Sequence, residues 1–262
     1  MSSRPANVGY RLGRDAGESE NHDCTAADEA NPNDSVGAPR FDAVGSILWS
    51  PGMTGSESFD RDFWERRWAQ ALREHPDRIA GREPNGHLLA EAEGLRPRLA
   101  LDAGCGYGAE TLWLAARGWR VTAVDFSVTA LNHARSTARA LGADIAERIE
   151  WIEGDLAIWS PAPGRYDLVI SLYVHVPGSV KDMIGRLGAG VGPGGTLLLV
   201  GHRPVDPATG APTPAAGQVQ VSVDAAVDAL DPRDWRIEVA EELPRAAAGT
   251  GVDAVVRAVS RA

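Results

Sequence analysis

The stretch that decides the fold is LALDAGCGYGAET, which runs from Leu99 to Thr111. A short apolar run ends at Asp102, and three glycines then precede a segment with helical spacing. Glycine lets a ligand approach the backbone closely, and the first turn of a helix offers unpaired N–H groups. Because ligands of open parallel sheets bind beyond the carboxyl ends of the strands, this stretch predicts a ligand-binding loop at the edge of such a sheet.

Apolar runs alternate with helical segments on the carboxyl side of this loop. The predicted strands up to residue 200 are Arg98–Asp102, Arg120–Val124, Arg148–Glu153, Tyr166–Ser171 and Gly195–Val200. Strands that alternate with helices form right-handed parallel crossovers within one sheet. Two further apolar runs, Trp235–Leu243 and Asp253–Val259, are joined by a segment too short for a helical crossover, which favours an antiparallel pair. The pattern predicts an α/β fold with a doubly wound, mostly parallel sheet.

The region before the sheet divides into two parts by composition. Its first 40 residues are polar and aperiodic, and they carry too little apolar surface to offset the entropy of ordering the chain. Further on, Trp64 and Trp68 belong to an apolar stripe at helical spacing within Asp60–Leu72. The predicted organisation is a disordered tail over 1–40, a helical cap or lid over 41–97 and a ligand-binding domain over 98–262.

Composition limits the classes of partner and location. The 262 residues carry a formal net charge of -10, and an acidic chain repels nucleic-acid phosphates. The chain has no apolar run of membrane-spanning length and no signal-peptide pattern, so we expect a cytoplasmic protein without a membrane partner. Cys24 and Cys105 have no metal-ligand spacing, so we expect no metal. No feature indicates a protein partner, which leaves a small molecule as the expected one.

Two classes of ligand fit the glycine loop. The run from Gly104 to Ala109 satisfies the dinucleotide fingerprint, and Asp125 at the next strand end can accept bonds from both hydroxyls of a ribose. Asp102, however, would bring its carboxylate close to a pyrophosphate. A cationic ligand would instead be attracted, and S-adenosylmethionine carries a sulfonium and an ammonium group and no phosphate. A tight turn that binds no nucleotide is the remaining interpretation.

Residues from about 98 to 202 resemble class I S-adenosylmethionine-dependent methyltransferases. Five motifs carry the resemblance in order: LDAGCGYG at 101–108, VTAVDFS at 121–127, IEGDLAIW at 152–159, YDLVIS at 166–171 and VGPGGTLLLVGH at 191–202. The resemblance implies a Rossmann-like, seven-stranded sheet with an antiparallel last strand and S-adenosyl-L-methionine as cofactor. A looser resemblance to the small-molecule branch near tellurite-resistance and thiopurine methyltransferases is carried by FWERRW at 63–68, PNGHL at 84–88 and TLWLA at 111–115.

The class I resemblance also implies which residues hold the cofactor. Asp102 would hold its amino group, Asp125 its ribose hydroxyls and Asp155 its adenine amino group. The glycines would pack against its methionine portion. The predicted cofactor-binding residues are Asp102, Gly104, Cys105, Gly106, Asp125, Phe126, Ser127, Asp155, Leu156, Ser171 and Leu172.

Candidate catalytic residues follow the fourth and fifth predicted strands. Tyr173 and His175 follow the fourth strand and His202 follows the fifth, at the same predicted edge of the sheet. Either histidine could act as a general base toward a hydroxyl or an amine, or pack and hydrogen-bond locally. Trp64 and Trp68 could close the cleft over an apolar substrate, or only dock their helix on the domain.

These residues predict in-line methyl transfer from S-adenosylmethionine to a small-molecule nucleophile, which can be sulfur, selenium or tellurium, oxygen, or nitrogen. The lack of a clear base motif leans toward a soft nucleophile such as a thiolate. One alternative is a nicotinamide-dependent oxidoreductase, but the only lysine, Lys181, has no tyrosine at helical spacing before it. The other alternative is a non-catalytic protein that binds S-adenosylmethionine.

Overall fold

In the computed structural model, which describes residues 61–203, 205, 210, 219–244 and 251–261, strands and helices alternate along the chain. The strands are β1 Leu99–Ala103, β2 Arg120–Asp125, β3 Ile149–Glu153, β4 Tyr166–Leu172, β5 Val191–His202, β6 Trp235–Pro244 and β7 Val252–Ser260. The helices within these residues are α1 Arg61–Glu74, α2 Pro76–Ala80, α3 Gly86–Ala92, α4 Ala109–Ala116, α5 Val128–Leu141, α6 Ala143–Ala146, α7 Val180–Ala189 and α8 Val223–Ala229. The predicted tail over 1–40 lies outside the described residues.

The strands form one seven-stranded sheet in the order β3-β2-β1-β4-β5-β7-β6. Neighbouring strands from β3 to β5 are parallel, whereas β7 runs antiparallel to both β5 and β6. The predicted mostly parallel sheet with an antiparallel last strand is therefore confirmed. The short connection between β6 and β7 forces this result, because a helical crossover needs a dozen or more residues.

Both faces of the sheet are buried, which explains the continuous apolar runs of its central strands. In β5, Leu197 and Leu199 pack with Ile184 of α7 on one face. Leu198 packs with Leu114 of α4 on the opposite face. Helices α3 and α5 lie on that second face, and α8 lies on the first. With both faces covered, the carboxyl edge of the parallel strands is where polar side chains can gather.

Local signals placed most element ends to within a few residues. Ser127 caps α5, since its hydroxyl accepts a hydrogen bond from the Ala130 N–H at 3.1 Å, and Gly142 follows the last helical residue. The strand predicted over Gly195–Val200 is longer, because Val191 already pairs with Tyr166 before an irregularity in the ladder. That early pairing depends on β4 and is invisible in the local sequence.

The segment predicted as a cap divides into two kinds of structure. Helix α3 belongs to the body of the domain, where Leu88 and Ala92 are buried against the sheet. Helix α1 instead packs against the glycine loop and α5 through Ala71 and Trp68. All described residues belong to one compact unit. None of the helices in the described part of the chain combines the length and apolar character needed to cross a bilayer.

Candidate active site at the carboxyl edge of the sheet

The glycine loop between β1 and α4 is held in a conformation and a space that suit only glycine. Gly104 has φ +89° and Gly106 has φ +49°, both in the left-handed region. A Cβ atom at Gly104 would lie 2.3 Å from Val174 Cγ2, and one at Gly106 would lie 2.9 Å from Trp68 Cη2. The N–H of Gly104 donates to the Val124 carbonyl at 2.8 Å, which ties the loop to β2. Side chains from α1 and from the loop after β4 therefore cover the glycine backbone closely.

Asp125 ends β2 and connects two parts of the site. Its carboxylate is 6% exposed and accepts from the Gly106 N–H at 2.8 Å and the Ser127 N–H at 2.9 Å. Burial raises the pKa of Asp125 to about 6, while the hydrogen bonds from Ser127 and Gly106 act in the opposite direction. Each carboxylate oxygen has a further lone pair. The group can therefore hold the loop and still accept hydroxyl hydrogen bonds from a ribose.

Asp102 lies at the end of β1 and is 3% exposed. The Thr111 hydroxyl donates to it at 2.6 Å. Burial raises the pKa of Asp102 to about 7, and the negative charges of Glu110 and Asp125 raise it further. A carboxylate in these surroundings gains from a nearby cation, so the site fits a ligand with an ammonium or sulfonium group.

The other predicted cofactor residues lie around these two acids, and several make local contacts. The Ser127 hydroxyl caps α5, and the Asp155 carboxylate accepts from the Ala157 N–H at 2.9 Å. Leu156 is buried in the core close to Gly104. Burial raises the pKa of the Cys105 thiol well above its usual value, so this thiol stays protonated and is no nucleophile.

Three predicted residues have few described contacts at the site. The Ser171 hydroxyl is buried and has no hydrogen-bond partner among the described residues. Phe126 and Leu172 are partly buried, and Leu172 packs against the core on the α4 side of the sheet. No group of three or more histidine, cysteine, aspartate or glutamate side chains in the described part of the chain could hold a metal ion.

Helix α1 crosses the carboxyl edge of the sheet. The Trp64 ring stacks on His175, with ring centroids 5.6 Å apart and planes 8° apart. One turn later, Trp68 lies against Gly106 and meets the Tyr107 ring edge-on. The geometric condition for a lid is met, because the helix reaches the loop after β4. Its role in substrate binding stays a prediction.

Polar contacts fasten α1 in this position. The Glu65 carboxylate accepts from the N–H and the hydroxyl of Thr129 at the start of α5. The Tyr107 hydroxyl donates to the Trp68 carbonyl, and Arg61 pairs with Glu153 at the end of β3. These contacts fix the helix to three different parts of the edge.

Tyr173, His175 and His202 are brought together as neighbouring rings. Tyr173 stacks on His202 at 4.0 Å, and the His202 and His175 centroids lie 6.3 Å apart. Tyr173 is the non-glycine residue with a left-handed backbone in the described chain, at φ +57°. Such strain persists only where the surroundings fix it, and it clusters at functional sites. Here Tyr173 donates to Asp253 at 2.7 Å and accepts from the Asn85 amide at 3.0 Å.

His175 is an uncharged imidazole at neutral pH. Burial lowers its pKa to about 4, and the neighbouring His202 contributes in the same direction. A hydrogen bond to the backbone of Val219 acts the other way. The Nδ1 atom of His175 is buried and has no hydrogen-bond partner among the described residues.

Known proteins share both the motif region and the fold. Residues 100–195 match the family described as Methyltransferase domain. In a structural comparison, magnesium protoporphyrin IX methyltransferase from Synechocystis, crystallised with bound S-adenosylmethionine, matches 79% of this chain and 99% of its own. The TM-score is 0.55 and the sequence identity 19%. Residues 100–195 therefore match a methyltransferase domain, and the fold is one that S-adenosylmethionine-dependent methyltransferases share.

Relatives found by sequence are methyltransferases of different named activities. Trans-aconitate 2-methyltransferase of Paracidovorax citrulli is 33% identical over 120 residues, which cover 44% of this chain and 43% of the relative. Ubiquinone biosynthesis O-methyltransferase of Methylocella silvestris is 30% identical over 175 residues, 65% of each chain. The chain thus spans less than two thirds of the length of these relatives. The tellurite-resistance and thiopurine branch is not singled out by these comparisons.

The site contains residues that the sequence did not reveal as part of it. Asp253 is 0% exposed, lies opposite His202 in the β5–β7 register, and has its carboxylate 3.6 Å from His202 Nδ1 and 3.4 Å from His87 Nε2. Asn85 and His87 belong to the PNGHL motif. In the sequence, this motif carries only the resemblance to the small-molecule branch and indicates no role for either residue. The one available signal was an acidic residue at the start of an apolar strand. Only the insertion of β7 beside β5 brings it to His202.

Proposed function

We propose that this chain transfers a methyl group from S-adenosylmethionine to a small-molecule nucleophile bound beneath α1. One observation carries the proposal: α1 spans the carboxyl edge, with Trp68 on the glycine loop and Trp64 on His175. A single helix thereby covers residues of both the predicted cofactor site and the candidate catalytic site.

The donor groups at the loop fit the proposed cofactor. The two buried acids Asp102 and Asp125 suit a ligand with a cationic amino-acid end and a ribose. In the proposed assignment, Asp102 holds the amino group, Asp125 the ribose hydroxyls and Asp155 the adenine amino group. When bound, S-adenosylmethionine supplies a methyl group already activated by its sulfonium.

The chain's own residues then orient the acceptor and exclude water. Trp64 of α1 covers His175, and Tyr173 and His202 stack on each other at the ends of β4 and β5. Alignment of an acceptor with an activated methyl group removes much of the barrier to a bimolecular reaction. A covered site also keeps water from competing with the acceptor.

A small acceptor is favoured over a macromolecule. Helix α1 is anchored at several points of the edge, so it covers this part of the sheet in the described structure. Two of the relatives found by sequence are named for trans-aconitate and for ubiquinone biosynthesis, which are small-molecule chemistry. The FWERRW motif forms the covering helix, which is consistent with the proposed likeness to the small-molecule branch.

Two measurements test the proposal and its alternatives. Calorimetric titration of the full chain with S-adenosylmethionine and with NADH should show binding of the first alone. Release of S-adenosylhomocysteine should then be followed by mass spectrometry with thiols, phenols, amines and carboxylic acids as acceptors. Binding of NADH would support the oxidoreductase alternative. Binding of S-adenosylmethionine without turnover by any acceptor would support a non-catalytic binding protein.

A further inference from the structure

We propose that the acceptor carries a proton on its reacting oxygen or nitrogen atom, and that His175 Nδ1 takes this proton during methyl transfer. The inference rests on the proposed function and deepens it, since it names the acceptor class and the base. It differs from the sequence analysis, which favoured a soft nucleophile such as a thiolate.

The tautomer of His175 supports this role. The hydrogen bond to the Val219 backbone favours the protonated ring, so the ring donates and the backbone carbonyl accepts. Nδ1 is not the donor, because it has no hydrogen-bond partner among the described residues. We therefore assign the proton to Nε2, which leaves a lone pair on Nδ1. A buried lone pair of this kind is an acceptor that lacks its donor.

The position of His175 places that lone pair at the covered part of the edge. Its neighbour Val174 lies against Gly104, and its ring lies under Trp64. Trp68, which lies against Gly106, is one helical turn from Trp64. Helix α1 thus covers both the glycine loop and His175. Val174, the residue before His175, also lies against the glycine loop.

The charges around His175 favour a neutral acceptor over an anion. The His175 ring is uncharged at neutral pH because burial lowers its pKa to about 4. Behind it, His202 and Tyr173 lead to the buried carboxylate of Asp253. A thiolate at this place would face the lone pair of His175 Nδ1 and the negative charge of Asp253. The uncharged His175 ring would supply no cation to stabilise it. A hydroxyl or amine N–H would donate to Nδ1 and satisfy it.

The proposed step conserves atoms and charge. The oxygen–carbon or nitrogen–carbon bond to the methyl group forms as the sulfur–carbon bond of the sulfonium breaks, and that bonding pair stays on sulfur. The acceptor proton moves to His175 Nδ1. One positive charge is lost at sulfur and one appears on the imidazole, so the covered site keeps its net charge. The imidazolium returns its proton to solvent when the product leaves.

The test compares acceptors of different acidity on the full-length chain saturated with S-adenosylmethionine. Single-turnover rates are measured for a series of substituted phenols, anilines and thiols with the wild type, His175→Phe and His175→Asn. Phenylalanine keeps a flat ring for Trp64 and removes both nitrogens, and asparagine keeps a polar group near the Nδ1 position. His75→Gln, at the N-cap of α2, is the matched control.

We expect the wild type to methylate phenols or anilines. His175→Phe should lose roughly 100-fold or more in rate with weakly acidic phenols, the usual size of a general-base contribution. Acidic nitrophenols, already ionised, should recover most of that loss, so the rate should depend more steeply on phenol pKa than in the wild type. The affinity for S-adenosylmethionine should change less than about threefold, because a base acts on the acceptor. A purely structural role would slow all acceptors equally.

Several results would overturn the inference. Turnover of thiols alone by the wild type would exclude a proton-bearing acceptor, and this result needs no mutant. Unchanged phenol rates in a folded His175→Phe or His175→Asn chain would exclude the base. These outcomes differ from failure of the proposed function, in which S-adenosylmethionine fails to bind or no acceptor releases S-adenosylhomocysteine.

Discussion

The two halves of the carboxyl edge are built in different ways. On the β1–β2 side, Asp125 accepts from the backbone N–H groups of Gly106 and Ser127, all within one short stretch of sequence. On the β4–β5–β7 side, side chains bond to side chains from distant parts of the chain, as Tyr173 does with Asn85 and Asp253. The first half is a backbone cradle, and the second is an assembly of separate elements.

This difference suits the two proposed tasks. A backbone cradle holds its ligand with groups that cannot rotate away, which suits the proposed cofactor. An assembly of side chains can vary with the acceptor while the sheet stays the same. Helix α1 connects the halves, since Trp68 covers the first and Trp64 the second.

The largest expected effect comes from breaking the backbone cradle with Gly106→Val. A β-branched residue at φ +49° is strained, and its Cβ atom would lie 2.9 Å from Trp68 Cη2. We expect affinity for S-adenosylmethionine to fall by about 100-fold or more, since strain of about 1–3 kcal/mol adds to the lost space. Calorimetry on the folded variant measures it. Gly94→Val, where a Cβ would meet nothing within 4 Å, is the matched control. A Gly106→Val chain with wild-type affinity would contradict the cradle.

Asp125→Ala tests the acid that ties the cradle to α5. It removes the acceptor for the Gly106 and Ser127 N–H groups, so we expect a stability loss of about 1–3 kcal/mol as well as weaker cofactor binding by roughly 10- to 100-fold. Chemical denaturation and calorimetry give the two values. Asp125→Asn keeps one acceptor oxygen and should recover part of the stability but less of the binding. Equal cofactor affinity in all three chains would remove Asp125 from the binding site.

The two tryptophans of α1 sharpen the comparison between the halves. Trp64→Ala should slow methyl transfer by about 10- to 100-fold through misalignment of the acceptor, and change cofactor affinity much less. Trp68→Ala should mainly weaken cofactor binding, because Trp68 lies on Gly106. Turnover rates and calorimetric affinities are measured for both variants, and each variant serves as the control for the other. A lower melting temperature with unchanged kinetics in both would assign the helix a structural role alone.

The pH dependence of cofactor binding tests the acids of the first half. The raised pKa values of Asp125, about 6, and Asp102, about 7, mean that each carboxyl is protonated below its own value. Only the ionised forms attract a cation, so affinity should rise as pH rises from 5.5 to 8. For each group the change should be about tenfold per pH unit below its pKa. Asp102→Asn should remove the upper part of this dependence, and an unchanged profile would exclude Asp102 as the group responsible.

The same shifts act oppositely on the stability of the protein without ligand. An unfolded aspartate loses its proton near pH 4, whereas folded Asp102 keeps it up to about pH 7. The folded state therefore binds more protons between these values, and the contribution of Asp102 to the free energy of unfolding falls as pH rises through that window. Denaturation at pH 5 and pH 8 with and without S-adenosylmethionine should show stabilisation by the ligand that is larger at pH 8.

The smallest effect is expected from deletion of residues 2–40. Their polar, aperiodic composition predicts a tail outside both halves of the edge. The shortened chain should keep its affinity for S-adenosylmethionine and its melting temperature. A melting temperature several degrees lower would show that this segment packs on the domain.

Sequence alone determined the class of fold and the cradle. The alternation of apolar runs with helical segments, the glycines from Gly104 onward and the strand-end Asp125 are local patterns. Each pattern meets a local physical requirement. The apolar runs bury both faces of a strand, the glycines allow a left-handed turn, and the carboxylate of Asp125 accepts from backbone N–H groups. Such needs act between residues close in the chain, so they are visible in the order of residues.

The tertiary structure decided the acceptor half and the path of α1. Asp253 reaches His202 only because β7 inserts between β5 and β6, and Asn85 reaches Tyr173 only because α3 docks on the sheet. The same holds for His175, whose ring lies under Trp64 and whose buried Nδ1 atom has no hydrogen-bond partner among the described residues. These contacts join residues far apart in sequence, and a polar residue carries no mark of its partner until packing and strand order bring the two together.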